Sequence, residues 1–174
     1  MSGGKGSRQV FFSFHFKNDL SRVNHVRANL PMAMVDVVGF FDPSEYEQLH
    51  EKSEAAIRRS IARRLEGTSV TVVLIGMQTA KRRWVREEIE LSIARRNGLL
   101  GLYIQHLPDL SGEKSLIGSP VPYVPKAIPF PKYRWDDDPQ RFIEAIEAAS
   151  RRSESWRHDV LGLRPVTGRR EGYG

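Results

Sequence analysis

Three carboxylates share the segment TAKRRWVREEIELSIARR, and helical spacing gives them different company. Glu87 stands four residues after Arg83 and Glu90 four after Arg86, the separation at which opposite charges meet on a helix surface. Glu88 instead has Trp84 four before it, Val85 three before it and Ser92 four after it. No cation of its own helix lies at pairing distance, and it borders the apolar stripe of Val85, Ile89 and Ile93. An unpaired carboxyl beside an indole is a candidate functional group, its charge available to a ligand rather than to a neighbouring arginine. On spacing alone the plainer alternative, a glutamate reaching water at the edge of a buried face, stays open. A second candidate group is the run Phe14, His15 and Phe16. In a strand the two rings share one face and His15 points to the other. The remaining histidines, at 25, 50, 106 and 158, have no zinc spacing, so no metal site is expected. Nor is there a glycine-rich dinucleotide fingerprint, and GGKG near the start lacks the preceding strand of a phosphate loop, which excludes a redox dinucleotide cofactor from the expectations.

Such groups act only where the fold brings ligands to them, and in open α/β sheets that is the crevice at the carboxyl ends of the strands. The chain reads as α/β, with apolar runs alternating with amphipathic helical stretches from Gln9 to Ser150. A strand is expected at residues 10–16, then a helix over 19–30 capped by Asn18 or Asp19, then a strand at 35–41 ending in Asp42 and Pro43. The next helical stretch, closing at Gly67, puts Ile57, Ile61 and Leu65 on one face and Arg58, Arg59, Arg63 and Arg64 toward water. Residues 69–75, β-branched and apolar on both faces, read as a central parallel strand. Thr79 is the expected cap of a helix running to about Asn97, and 99–104 supplies a further strand. The proline-rich residues 106–132 read as loops with room for one short edge strand. Asp138 then caps a last helix with Pro139 at its first position and Phe142, Ile143, Ile146 and Ala149 on its apolar face. Three segments follow strands and so become candidate ligand sites: 13–19, 39–42 and 76–90.

Composition narrows the classes. At 174 residues and 40% hydrophobic the chain fits one domain with a real core. It has no cysteine, hence no disulfide framework or thiolate chemistry. No apolar run approaches the ~18 residues of a membrane span, and MSGGKGSRQ lacks the apolar region of a signal peptide, so a cytoplasmic protein is expected. The net charge of +6 is concentrated at the ends: six arginines from Arg151 onward face only Glu154, Asp159 and Glu171, and Lys5 and Arg8 lie in the first residues. The body is close to neutral, which argues against nucleic acid as a partner. The expected division is a flexible arm at 1–8, one domain at 9–150 and a basic, disordered tail at 151–174.

The runs VFFSFHFKND, GTSVTVVLIG and RRWVREEIELSIARRNGLLGLYI resemble the TIR-like family that includes the TIR subunit of the Thoeris anti-phage defence system. The resemblance covers most of residues 9–105. It implies a flavodoxin-like TIR fold, a central and mostly parallel sheet flanked by helices, and an enzyme that consumes NAD as substrate rather than holding it as cofactor. It implies that Glu88, in the W-x-x-x-E position with Trp84, is the catalytic carboxylate. It also places the end of the first strand, with Phe14 and His15, and the loop holding Asp42 around the substrate. From the residues alone Asp42 reads first as a turn residue before Pro43. Breaking the ribosyl bond releases neutral nicotinamide, so the leaving group needs no general acid, and an ionised Glu88 suffices to hold the ribose hydroxyls and stabilise the developing oxocarbenium charge. The further implications are a cyclic ADP-ribose type of product, a separate effector reached by that diffusible nucleotide, and self-assembly through TIR surfaces. A non-catalytic TIR-like interaction module is the alternative.

Overall fold

The computed structural model describes residues 7–38, 48, 51–121 and 123–160, the last helix's side chains to 157. Five strands form one parallel sheet: β1 (Arg8–Ser13), β2 (Val35–Val38), β3 (Val70–Ile75), β4 (Gly98–Tyr103) and β5 (Lys132–Arg134), in the order β2-β1-β3-β4-β5. Parallel neighbours need crossover connections, and helices α1 (Phe16–Ala28), α2 (Glu54–Arg64), α3 (Arg83–Ala94) and α4 (Pro139–Val160) are the described ones. The strand order reverses between β1 and β3, the place where an open sheet leaves a crevice. This is the α/β, flavodoxin-like arrangement expected from the sequence.

Alternation along the strands decides which helix covers which face. Val10, Phe12, Val72, Leu74, Leu100 and Leu102 pack with Val23 and Val26 of α1 and with Phe142, Ile143, Ile146 and Ala149 of α4. On the other face, Phe11 meets Ile57 and Ile61 of α2, while Val73, Ile75 and Leu99 meet Val85 and Ile89 of α3. All six residues of β3 are buried, as a central strand covered on both faces requires. At the start of α4, Asp138 Oδ1 accepts from the amides of Gln140 and Arg141, so the expected cap is present. The short edge strand β5 comes later than the sequence allowed, overlapping the proline-rich segment only at Lys132.

Several local expectations are corrected. β1 stops at Ser13 instead of running through residue 16, because the chain turns into α1 at once: His15 occupies the cap position and Asp19 N–H donates to His15 O. Phe14 and Phe16 therefore do not share a strand face; their rings stack at 6.0 Å between centroids, one in the turn and one in the helix. Neither Asn18 nor Asp19 caps α1. Asp19 lies within its first turn, 1% exposed, where a Cβ on Gly76 would overlap its carboxylate. Thr79 does not cap α3 either. Its Oγ1 accepts from Gly76 N–H at 2.8 Å and donates to Leu74 O, closing the turn after β3, and a 3-10 turn (Thr79–Lys81) leads into the helix. Residues 39–42 lie outside the described residues.

The last helix also passes the boundary expected at 150. Ser150 and Ser153 are fully buried, Arg152 donates to Leu99 O, and Arg157 donates to Thr68 O and to Asn97 Oδ1, each at 3.2 Å. Half-buried Arg152 and exposed Arg157 are thus both tied to the amino ends of β3 and β4. A chain ending at residue 160 is therefore expected to melt at least ~4 °C above one ending at 150, the scale of one to two kcal/mol for a protein of this size. Equal melting temperatures for the two truncations would show that the end of α4 contributes nothing.

Candidate active site

Ser13, the last residue of β1, pairs in register with Val73 of β3 and points to the α3 face, where it is fully buried. A hydroxyl there needs a partner. It has one: Ser13 Oγ donates to Glu88 Oε2 at 2.5 Å. Glu88 reaches this point because α3 opens at Arg83 and buries the side carrying Val85, Glu88, Ile89 and Ser92. Glu88 as a whole is 8% exposed, and its carboxyl sits at the carboxyl ends of β1 and β3, beside the crevice where the strand order reverses. Behind it runs a polar lane. Ser92 Oγ donates to Glu88 O at 2.6 Å and shares a 2.8 Å hydrogen bond with Thr71 Oγ1. Asn97 Nδ2 donates to Thr71 Oγ1 and to Thr68 Oγ1, and Arg157 donates to Asn97 Oδ1.

Burial pushes the Glu88 carboxyl up to about 8, and the Ser13 hydrogen bond offsets only part of that rise. The resting group is thus mostly the neutral acid at pH 7, not the ionised carboxylate expected from the sequence. Its neighbours on α3 behave differently. Arg86 pairs with Glu90 at 2.8 Å, as the spacing predicts. Glu87 does not pair with Arg83: α2 packs alongside α3, so Arg83 is taken by Glu54 in a two-armed contact of 2.6 Å each, and Glu87 pairs with Arg58 at 3.3 Å. Trp84 packs partly buried against Phe11, Ile57, Ile61 and Leu65, with the Arg83 guanidinium 5.0 Å from its ring. Its described contacts thus tie α3 to α2.

His15 is 7% exposed, and burial, then Arg82 and Lys17, lower it to about 4, so it is a neutral imidazole whose Nδ1 has no hydrogen-bond partner among the described residues. Phe14 packs against the core cluster shared by α1 and α4. Asp42 lies outside the described residues. Among the described residues, no group of three or more His, Asp or Glu is disposed to hold a metal ion. Sequence reasoning did not single out Ser13, yet a signal existed: Phe11 and Ser13 share a face of β1, and a lone hydroxyl on a buried face implies a partner across it. Asp19 is a second missed group, its carboxyl raised to about 6 by burial against the opposing pull of Arg22.

A family model described as "Thoeris protein ThsB, TIR-like domain" matches residues 11–109, more than half of the chain. The chain is also 40% identical over 121 residues to "Putative cyclic ADP-D-ribose synthase ThsB1" of Bacillus cereus (strain MSX-D12), an alignment covering 68% of this chain and 63% of that protein. It thus spans less than two thirds of that relative's length.

The Glu88 environment makes a measurable statement about pH. Its folded value, about 8, lies above the ordinary 4.5, so the stability it contributes is complete below about pH 4.5 and is lost as pH rises toward 8. Relative to Glu88→Gln, the wild type is expected to lose stability across that window by up to ~1.4 kcal/mol per pH unit, read by urea denaturation at pH 5 and pH 8. Carbon-detected NMR of the carboxyl should show Ser13→Ala raising its titration point further. A Glu88 midpoint near 4.5 would overturn this account.

Proposed function

We propose that this chain, which belongs to the TIR-like domain family of the Thoeris protein ThsB, breaks the bond between nicotinamide and ribose in NAD, with Glu88 as the catalytic carboxylate. The observation that carries the proposal is the buried Ser13–Glu88 contact at the β1/β3 crevice. A carboxyl held neutral by burial is suited to a cationic substrate. A pyridinium entering the crevice favours the charged form of Glu88, whose proton passes to solvent, so the carboxylate appears where positive charge is about to move. As the C1′–N bond lengthens, that charge passes from the pyridine ring to the ribose, and a nearby carboxylate in a water-poor site stabilises it more than water does. Ser13 holds one carboxyl oxygen, leaving the other for a ribose hydroxyl. Nicotinamide departs as a neutral molecule, so a single carboxyl serves.

His15, neutral and without a partner for Nδ1, is the expected contact whose state best fits a hydrogen bond to the dinucleotide. As the family resemblance implies, Phe14 and Trp84 would line the substrate, and Asp42 would border the entrance. The name of the Bacillus cereus relative supports a cyclic product. In that outcome C1′ bonds to a nucleophile of the adenosine half of the same molecule, with loss of nicotinamide and one proton, and the product acts as a diffusible signal on a separate effector in anti-phage defence. Self-assembly through TIR surfaces belongs to the same proposal. Holding the two halves of NAD together gives the internal nucleophile a high effective concentration over water.

Purified protein incubated with NAD is expected to release nicotinamide together with a product of the mass of ADP-ribose less one water. Glu88→Gln should lower release by roughly 100-fold or more, while Glu90→Gln, which loses only an exposed surface pair, stays within about twofold. Equal losses in both variants would remove Glu88 from its role, and mainly linear ADP-ribose would remove the cyclisation. A wild type that neither binds nor cleaves NAD would leave the interaction-module reading in its place.

A further inference from the structure

The proline-rich segment after residue 109 lies beyond the stretch matched by the family, yet it folds back over the α3 face of the sheet. Ser115 N–H donates to Gln105 O at 2.8 Å, and Gly118 sits so close to Gly76 and Met77 that a Cβ there would overlap their backbone. Downstream, Val121 is buried and Tyr123, Val124, Ile128 and Phe130 pack against the cluster that holds Val85 and Ile89. Those two side chains flank Glu88 on α3, one turn before it and one residue after it.

Hydrophobic burial accounts for most of this strip, but not for Tyr123. Phe130 in the same strip shows that a plain ring packs there. The Tyr123 hydroxyl is buried with no hydrogen-bond partner among the described residues, and the Arg86 guanidinium lies over the ring, 5.7 Å from its centroid, rather than at the oxygen. A buried donor without an acceptor costs ~1–3 kcal/mol relative to phenylalanine, which native proteins seldom carry without a use. The position matters as well as the cost. Burial first, then the charge of Glu88, pushes the phenol up to about 12, so the two groups feel each other and Tyr123 stays a neutral donor at any physiological pH.

We propose that Tyr123 is a substrate-binding residue of the Glu88 site, its hydroxyl donating to an oxygen of the nicotinamide riboside half of the dinucleotide. This rests on the NAD reading above and extends it to a segment downstream of the residues 11–109 that the family model matches. The bound oxygen gives the phenol the acceptor it lacks. It also turns the sugar so that C1′ faces the carboxyl that Ser13 holds. Analogues lacking that oxygen would leave a buried donor unpaired again and so be rejected.

Tyr123→Phe tests this directly, because it keeps the ring and removes only the hydroxyl. Binding of an uncleavable carbocyclic NAD analogue is measured by calorimetry on the full chain, beside the thermal transition. The variant is expected to bind the analogue about tenfold more weakly, as befits one lost hydrogen bond, with an unchanged or higher melting temperature. A merely structural tyrosine would give the opposite pattern, a lower melting temperature with affinity intact. Wild type and variant binding equally well would overturn the role of Tyr123 while leaving the NAD reading standing. A wild type that does not bind the analogue would overturn the NAD reading itself, and with it this one.

Discussion

Glu88 stays buried beside an apolar stripe because Ser13 meets it, and a large part of the fold serves that one hydrogen bond. β1 must end at residue 13, with Ser13 in register with Val73, so that the hydroxyl emerges at the mouth of the sheet. α3 must begin at Arg83, so that its second turn passes over that point. The turn between β3 and α3 sets this start. Thr79 Oγ1 bridges Gly76 N–H and Leu74 O, and Gly76, having no Cβ, lets the Asp19 carboxylate of α1 press against it. A side chain at Gly76 would push α1 and the turn apart, and the carboxyl would shift with them. Arg22, 4% exposed, continues the clamp outward: it pairs with Asp19 at 3.3 Å and donates to Leu107 O and Glu113 O, fixing the loop that follows β4.

What could be read in the sequence follows from the range of each interaction. Periodicity along one element is local, so the α/β class, the doubly covered β3 and the cap and apolar face of α4 were all legible. The ends of elements were less so. Phe14 and Phe16 extend an apolar strand pattern beyond Ser13, yet the helix begins among them, because the backbone turn outweighs side-chain character there. Charge pairs were legible only where both partners share a helix. Arg86 and Glu90 do so; Arg83 and Glu87 find partners on α2, which no spacing within α3 reveals. Ser13 and Glu88 are 75 residues apart, so Glu88 stood out as unpaired while its donor stayed hidden. Arg152 and Arg157 were read from charge as solvated, but a guanidinium can also serve carbonyls at the ends of strands, and composition does not distinguish the two.

The polar lane behind Glu88 gives the site a property that apolar packing does not. Val85 and Ile89 hold α3 to the sheet through nondirectional contacts, which tolerate small slides and rotations of a helix. Hydrogen bonds between buried hydroxyls and an amide tolerate neither. Ser92, Thr71 and Asn97 are fully buried and paired in a continuous run from the Glu88 carbonyl to Arg157. A satisfied buried network rigidifies its surroundings, whereas breaking any link leaves an unpaired polar group in a low-dielectric interior. The azimuth of α3, and with it the direction of the Glu88 side chain, is thereby set from the amino ends of β3 and β4. Arg157 ties the end of α4 into the same lane. In the proposed reaction the carboxyl must sit opposite a charge that develops at one ribose carbon, and electrostatic stabilisation of that kind depends on fixed placement more than on strength. The residues that do no chemistry here, from Ser92 to Arg157, are therefore as much a condition of the site as the carboxyl itself.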